Sequence, residues 1–95
     1  MTQETKSLAD SSPSEVLDAV LATVRKVSAP RPVPAGDETL DADLFESGIV
    51  DSLGWIRLLD ELEDIYGVEL DIEAMDEKGV TSMRDIAAYL GELGG

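Results

Sequence analysis

The chain has 95 residues, enough for one small domain with a modest core. It contains no cysteine and no histidine, which excludes disulfide staples and thiolate or imidazole metal sites. Its 21 acidic residues against 7 basic ones give a formal charge of −14, so its surface repels nucleic-acid backbones and anionic lipid and suits basic patches on other proteins.

Residues 1–11 carry no apolar period and read as a flexible tail. They lack the apolar stretch of a signal peptide, and no run in the chain reaches the length of a membrane span. The expectation is a cytoplasmic protein with no stable membrane insertion. Ser12-Pro13-Ser14-Glu15 then reads as a helix start: Ser12 can cap, Pro13 suits the first helical position, and Glu15 stands where a capping box needs it. Val16, Leu17, Val20, Leu21, Val24 and Val27 form one apolar stripe at helical spacing. The helix should stop before Pro30, since the residue preceding a proline avoids helical geometry.

Pro30, Pro32 and Pro34 make a stiff, extended connection. The loop continues to about Gly48, long for a compact domain, and loops of that length are usually functional. Leu40, Leu44 and Phe45 should pin it to the core. A second main helix is expected over 52–66, capped by Asp51, whose charge also suits the positive end of the helix dipole, and stopped at Gly67. Trp55, Leu58, Leu59, Leu62, Ile65 and Tyr66 share its core side; Leu53, Ile56, Arg57, Asp60 and Asp64 share another. Residues 71–76 suggest one short helical turn, broken at Lys78-Gly79. Thr81 or Ser82 caps a final helix with Met83, Ile86, Ala87 and Leu90 inward. The expected fold is all-α, a small bundle of three main helices plus a short fourth, with a long loop between the first and second. The domain should occupy 12–93.

Ser52 places a hydroxyl at the start of the second main helix. Without any histidine, the usual base that would make it a nucleophile is missing, and only a lysine could stand in. Calcium binding by the acidic loop fails on spacing. Asp41 and Asp43 begin like an EF-hand, but Phe45 takes the next ligand position, Glu46 replaces the glycine, and Ser52 falls where a bidentate glutamate belongs. Ser52 is better read as a place where another enzyme attaches something.

The run Leu44-Phe45-Glu46-Ser47-Gly48-Ile49-Val50-Asp51-Ser52-Leu53 resembles the attachment motif of acyl and peptidyl carrier proteins. Leu58-Leu59, Glu61-Leu62-Glu63, Tyr66-Gly67-Val68 and the later Thr81-Ser82-Met83-Arg84-Asp85-Ile86-Ala87 fit the same family, so the likeness covers roughly 14–93. It implies that Ser52 receives 4'-phosphopantetheine from coenzyme A, covalently, through a phosphopantetheinyl transferase that normally uses magnesium. It also implies that the protein is not an enzyme. It would be a stand-alone, monomeric carrier holding acyl or aminoacyl cargo as a thioester, in polyketide, nonribosomal peptide or related biosynthesis. Its partners would be that transferase, an adenylating or acyl-transferring loading enzyme, and downstream biosynthetic enzymes, with no nucleic acid involved. A phosphate on Ser52 would also sit at the positive end of the helix.

Around Ser52 each residue has two readings. Asp51 either only caps the helix or also serves the transferase encounter and its metal. Leu53 and Ile56 are either scattered exposed apolar residues or a docking spot, the reading favoured by their place beside Ser52. Asp60, Glu63 and Asp64 either solvate a helix face or meet basic partners. Arg57 departs from the strongly acidic second helix of fatty-acid carriers. Gly54, after a Gly-x-x-Asp-Ser run, resembles D-alanyl and other aminoacyl carriers more, although the downstream half follows that subfamily less clearly. Trp55 reads as half-buried packing or as the wall of an apolar cleft. The competing function is a carrier-like helical protein-interaction module without a loaded arm.

Overall fold

The computed structural model describes residue 8 and residues 10–34 and 36–94. Most of the tail expected at 1–11 lies outside the described residues, though Leu8 is buried against the core. In chain order the elements are α1 (Pro13–Ser28), α2 (Asp37–Asp41), α3 (Ser52–Tyr66), α4 (Ile72–Glu77) and α5 (Met83–Gly94). The three long helices and the short α4 are the expected bundle, and α2 is an addition inside the long loop. Its N-cap, Gly36, offers no side-chain oxygen, and it has only five residues, so no capping or period signal marks it. It is held from outside, by Arg84 of α5, whose guanidinium bonds Asp41 at 2.6 Å and reaches Asp37 at 3.8 Å.

The helix starts follow their local chemistry. The Glu15 N–H donates to Ser12 Oγ at 3.3 Å, with Pro13 at the first position of α1. At α5 the choice between Thr81 and Ser82 falls to Ser82, whose Oγ accepts from the Asp85 N–H at 3.0 Å. The Asp85 carboxylate in turn accepts from the Thr81 and Ser82 N–H groups, both at 3.3 Å, so the cap is reciprocal. Asp71 caps α4 by accepting from the Ala74 N–H at 3.2 Å.

α1 packs on α5 and on α3. Val20, Val24, Leu58, Leu62, Met75, Met83, Ile86 and Leu90 are fully buried between them. Each such side chain contributes about 1.5–3 kcal/mol by leaving water. The stripe predicted on α1 divides: Val16, Val20 and Val24 are buried, while Leu17, Leu21 and Val27 are half-buried against the same cluster. Two polar residues lie in that helix's buried face, Thr23 and Ser28. Their hydroxyls donate to the Ala19 and Val24 carbonyls at 2.7 Å, so neither is left unsatisfied.

α3 ends where Gly67 turns left-handed at φ 63°, its N–H donating to the Glu63 carbonyl at 2.7 Å. The Glu63 carboxylate accepts from the Leu70 N–H at 2.8 Å. Glu63 is therefore tied into the turn after α3 and is less available to a partner than Asp60 or Asp64, which are exposed.

Candidate functional site

Ser52 is the first residue of α3 and stands exposed at its N-terminal end. Three features place it there. The Asp51 carboxylate accepts from the Gly54 N–H at 2.7 Å and fixes the helix start. The turn before it is wound by Asp43, whose carboxylate accepts from the N–H groups of Phe45 and Glu46 at 2.8 and 3.0 Å. Leu44, fully buried, anchors that turn, donating its N–H to the Thr81 carbonyl at 2.9 Å and accepting from the Val50 N–H at 3.1 Å. The loop carrying Ser52 is thus tied to the start of α5. Among the described residues the Ser52 hydroxyl takes no partner, so it is free to react.

Gly54 has a spatial reason that its weak helix propensity hides. A Cβ there would lie 3.2 Å from Asp51 Oδ1 and 3.4 Å from Val50 Cβ. The close approach lets the capping carboxylate fold over the first turn.

The residues expected around Ser52 fall on one end and one face of α3. Leu53 is 67% exposed and Ile56 51% exposed, large values for apolar side chains on a helix so well buried behind. Ile56 and Asp60 follow Ser52 at four-residue steps, and Arg57 follows Leu53 in the same way, so all five line adjacent strips of the helix. Arg57 and Asp60 are exposed.

Phe45 differs from expectation. Leu44 takes the core side of the turn and Phe45 points out, 42% exposed, its ring lying 5.2 Å from that of half-buried Trp55 at a 48° tilt. The tilted pair is an ordinary aromatic arrangement. It makes the apolar surface around Ser52 wider than Leu53 and Ile56 alone. In the sequence Phe45 is indistinguishable from a core residue, because consecutive loop residues carry no face information.

A residue that carries no signal in the sequence also borders the site. Arg31, between Pro30 and Pro32, donates from Nη1 to the Gly48 carbonyl at 3.3 Å and so braces the loop leading to Ser52. A cleft of about 160 Å³ opens between the end of α1 and the start of α3, bordered by Arg31, Asp51, Leu53, Gly54 and Arg57. Among the described residues no group of three or more carboxylates, histidines or cysteines could hold a metal ion. Nor is any helix among them long and apolar enough to cross a membrane.

Comparison with known proteins places this geometry. Residues 15–90 match the family described as the phosphopantetheine attachment site. The D-alanyl carrier protein of Lactococcus lactis subsp. cremoris (strain MG1363) is 42% identical over 55 residues, covering 58% of this chain and 70% of its own. D-alanyl carrier protein 2 of Lactiplantibacillus plantarum is 30% identical over 78 residues, covering 82% of this chain and 98% of its own. The D-alanyl carrier protein of Streptococcus equi subsp. zooepidemicus (strain MGCS10565) is 30% identical over 56 residues, 59% of this chain and 71% of its own.

Proposed function

Because the chain belongs to the phosphopantetheine attachment site family, we propose that Ser52 is its attachment residue. Members of this family are not catalysts; the protein is a carrier that tethers intermediates on a covalent 4'-phosphopantetheine arm. The observation that carries the assignment to Ser52 is an exposed, unpartnered hydroxyl at the first position of a helix whose start is fixed by Asp51.

The residues fit the group. The hydroxyl is open to an enzyme from outside, the start of α3 favours a phosphate, and the cleft beside it is bordered by two guanidinium groups. In the transfer, Ser52 Oγ forms the new bond to phosphorus while the diphosphate bond of coenzyme A breaks. Adenosine bisphosphate leaves, and the hydroxyl proton passes to the transferase or solvent. The arm supplies the thiol that this cysteine-free chain lacks, and cargo is held on it as a thioester. Asp51 keeps the first turn of α3 wound, so that the hydroxyl is presented at a constant angle. Leu53, Ile56, Arg57 and Asp60 supply the face on which the transferase, a loading enzyme and downstream enzymes dock, with Asp51 at its edge. Tethering raises the local concentration of cargo at each docked enzyme.

For the cargo, the names of the relatives favour an amino acid over a fatty acyl or polyketide chain, and Gly54 in its Asp51-Ser52 context agrees. The carrier works as a monomer in the cytoplasm, where coenzyme A and the loading enzymes meet it.

The test is loading. Incubation of the protein with coenzyme A and a broad-specificity transferase should add the mass of one phosphopantetheine group, located on Ser52 by fragmentation. Ser52→Ala should gain none. A Ser52→Ala protein that gains the same mass has its attachment point elsewhere. A wild-type chain that stays bare while still binding partners through Leu53 and Ile56 is an interaction module instead.

A further inference from the structure

The basic side chains are unevenly committed. Among the described residues Lys26 pairs with Glu61 at 2.9 Å, Lys78 with Glu92 at 2.8 Å, and Arg84 with Asp41 and Asp37. Arg25, Arg31 and Arg57 pair with no carboxylate, although acids outnumber bases three to one in the chain. Two of those three uncommitted cations, Arg31 and Arg57, border the same small cleft, and Asp51 and Leu53, the two neighbours of Ser52, border it with them. They come from different elements. Arg31 belongs to the proline-rich connection after α1, braced on the Gly48 carbonyl, and Arg57 to the second turn of α3. In a protein of charge −14 this is a local positive seat beside an otherwise acidic surface.

We propose that this cleft holds the phosphodiester that joins the arm to Ser52, with Arg57 as the main counter-charge and Arg31 as the second. The inference rests on Ser52 being the attachment residue. The need for such a seat is electrostatic. The attached phosphodiester carries a negative charge beside the Asp51 carboxylate, within a strongly negative field. The unpaired N–H groups of the first turn of α3 offset part of this, but Asp51 already occupies the Gly54 N–H. Two guanidinium groups supply what is missing, in the planar hydrogen-bonding form suited to phosphate oxygens. They also hold the root of the arm on the α1 side of α3, against the cleft, which leaves Leu53 and Ile56 open to a partner.

The experiment uses the arm's own phosphorus. Wild-type, Arg57→Gln, Arg57→Lys and Arg31→Gln proteins are loaded to completion with excess transferase, and intact mass is checked for each. Phosphorus NMR then reads the phosphodiester shift and its relaxation at low and high salt. In the wild type the signal should move with salt and relax as an arm partly held by the protein. Arg57→Gln should shift the signal toward its high-salt position and make the phosphorus more mobile. Arg57→Lys should restore part of the wild-type signal, a result that loss of packing alone does not give. Arg31→Gln should give a smaller change in the same direction, with backbone amide spectra separating this effect from any loosening at Gly48.

The same shift and relaxation in wild-type and Arg57→Gln proteins, unaffected by salt, would overturn the proposal. So would an Arg57→Gln protein that the transferase cannot load although wild type loads fully, since Arg57 would then act in the encounter. Apo protein titrated with inorganic phosphate should show no saturable shift at the Arg57 side chain; saturation would make the cleft a free-anion site. A wild type that never loads counts against Ser52 as attachment point and is recognised by mass alone.

Discussion

Asp51 carries several demands within one carboxylate. It caps α3, it crowds Gly54, and it stands beside the hydroxyl that is to bear a phosphate. Removing it should cost about 0.5–2 kcal/mol of stability, the usual range for losing a helix cap, measured by chemical denaturation of Asp51→Ala. Gly54→Ala couples to it. Alanine gains about 0.8–1 kcal/mol of helix propensity over glycine, but its Cβ meets Asp51 Oδ1 at 3.2 Å. The expected outcome is little net change in the wild-type background and a clear gain in the Asp51→Ala background. A double-mutant cycle that proves additive would show that the capping carboxylate yields freely. Tyr66 makes a separate, pH-dependent contribution. Burial first, and the charge of Glu15 second, push its phenol above the ordinary value of 10.0. In the unfolded chain the phenol ionises near that value, whereas the fold keeps it protonated to higher pH. The associated stability is complete below pH 10.0 and is lost as pH rises through the folded value. Lys78, held protonated by its hydrogen bond to Glu92, contributes with the same sign. Tyr66→Phe should therefore lose part, and not all, of the alkaline fall in stability seen in denaturation curves.

At the scale of elements, α3 does two opposite things with its two faces. Leu58 and Leu62 are fully buried, and truncating either to alanine should cost about 2–5 kcal/mol. Leu53 and Ile56 are more than half exposed, so alanine there should change stability by no more than about 0.5 kcal/mol while slowing loading by the transferase. Thermal melts and loading rates of the four variants separate the faces; a Leu53→Ala protein that melts like Leu62→Ala would contradict this division. The loop before α3 behaves as an element in its own right. Its order comes from the Asp43 turn, the buried Leu44 and the Thr81 carbonyl, and from Arg31 reaching across to Gly48. Several separate ties explain how a stretch without long helices can still present Ser52 at a fixed place.

Across the whole molecule, charge sets the conditions. The described residues extend about 34 × 31 × 24 Å, and 14 uncompensated negative charges share that volume. The few ion pairs are exposed and contribute little individually. Self-repulsion should thus weaken the fold at low ionic strength, where the screening length is about 30 Å at 0.01 M. Raising salt to about 0.15 M, where it falls to about 8 Å, should raise the melting temperature. A melting temperature that falls over that range would mean that attractive pairs outweigh repulsion. The same field draws in basic partner surfaces and makes association faster at low salt.

Much of this was written locally in the chain. Helix starts at Ser12, Asp51, Asp71 and Ser82 follow from capping chemistry, and the core stripes follow from the 3.6-residue period, because both depend only on near neighbours. The exposed serine at a helix start, in a chain without histidine or cysteine, already pointed away from catalysis and toward attachment. What needed the tertiary structure were matters of distance between segments remote in sequence. Those are the helical turn at Asp37–Asp41 held by Arg84, the outward turn of Phe45 onto Trp55, the engagement of Glu63 by Leu70, and the meeting of Arg31 with Arg57. Periodicity tells which side of a helix is buried. It carries no information about which loop folds over the other side, and that is where the surroundings of Ser52 are decided.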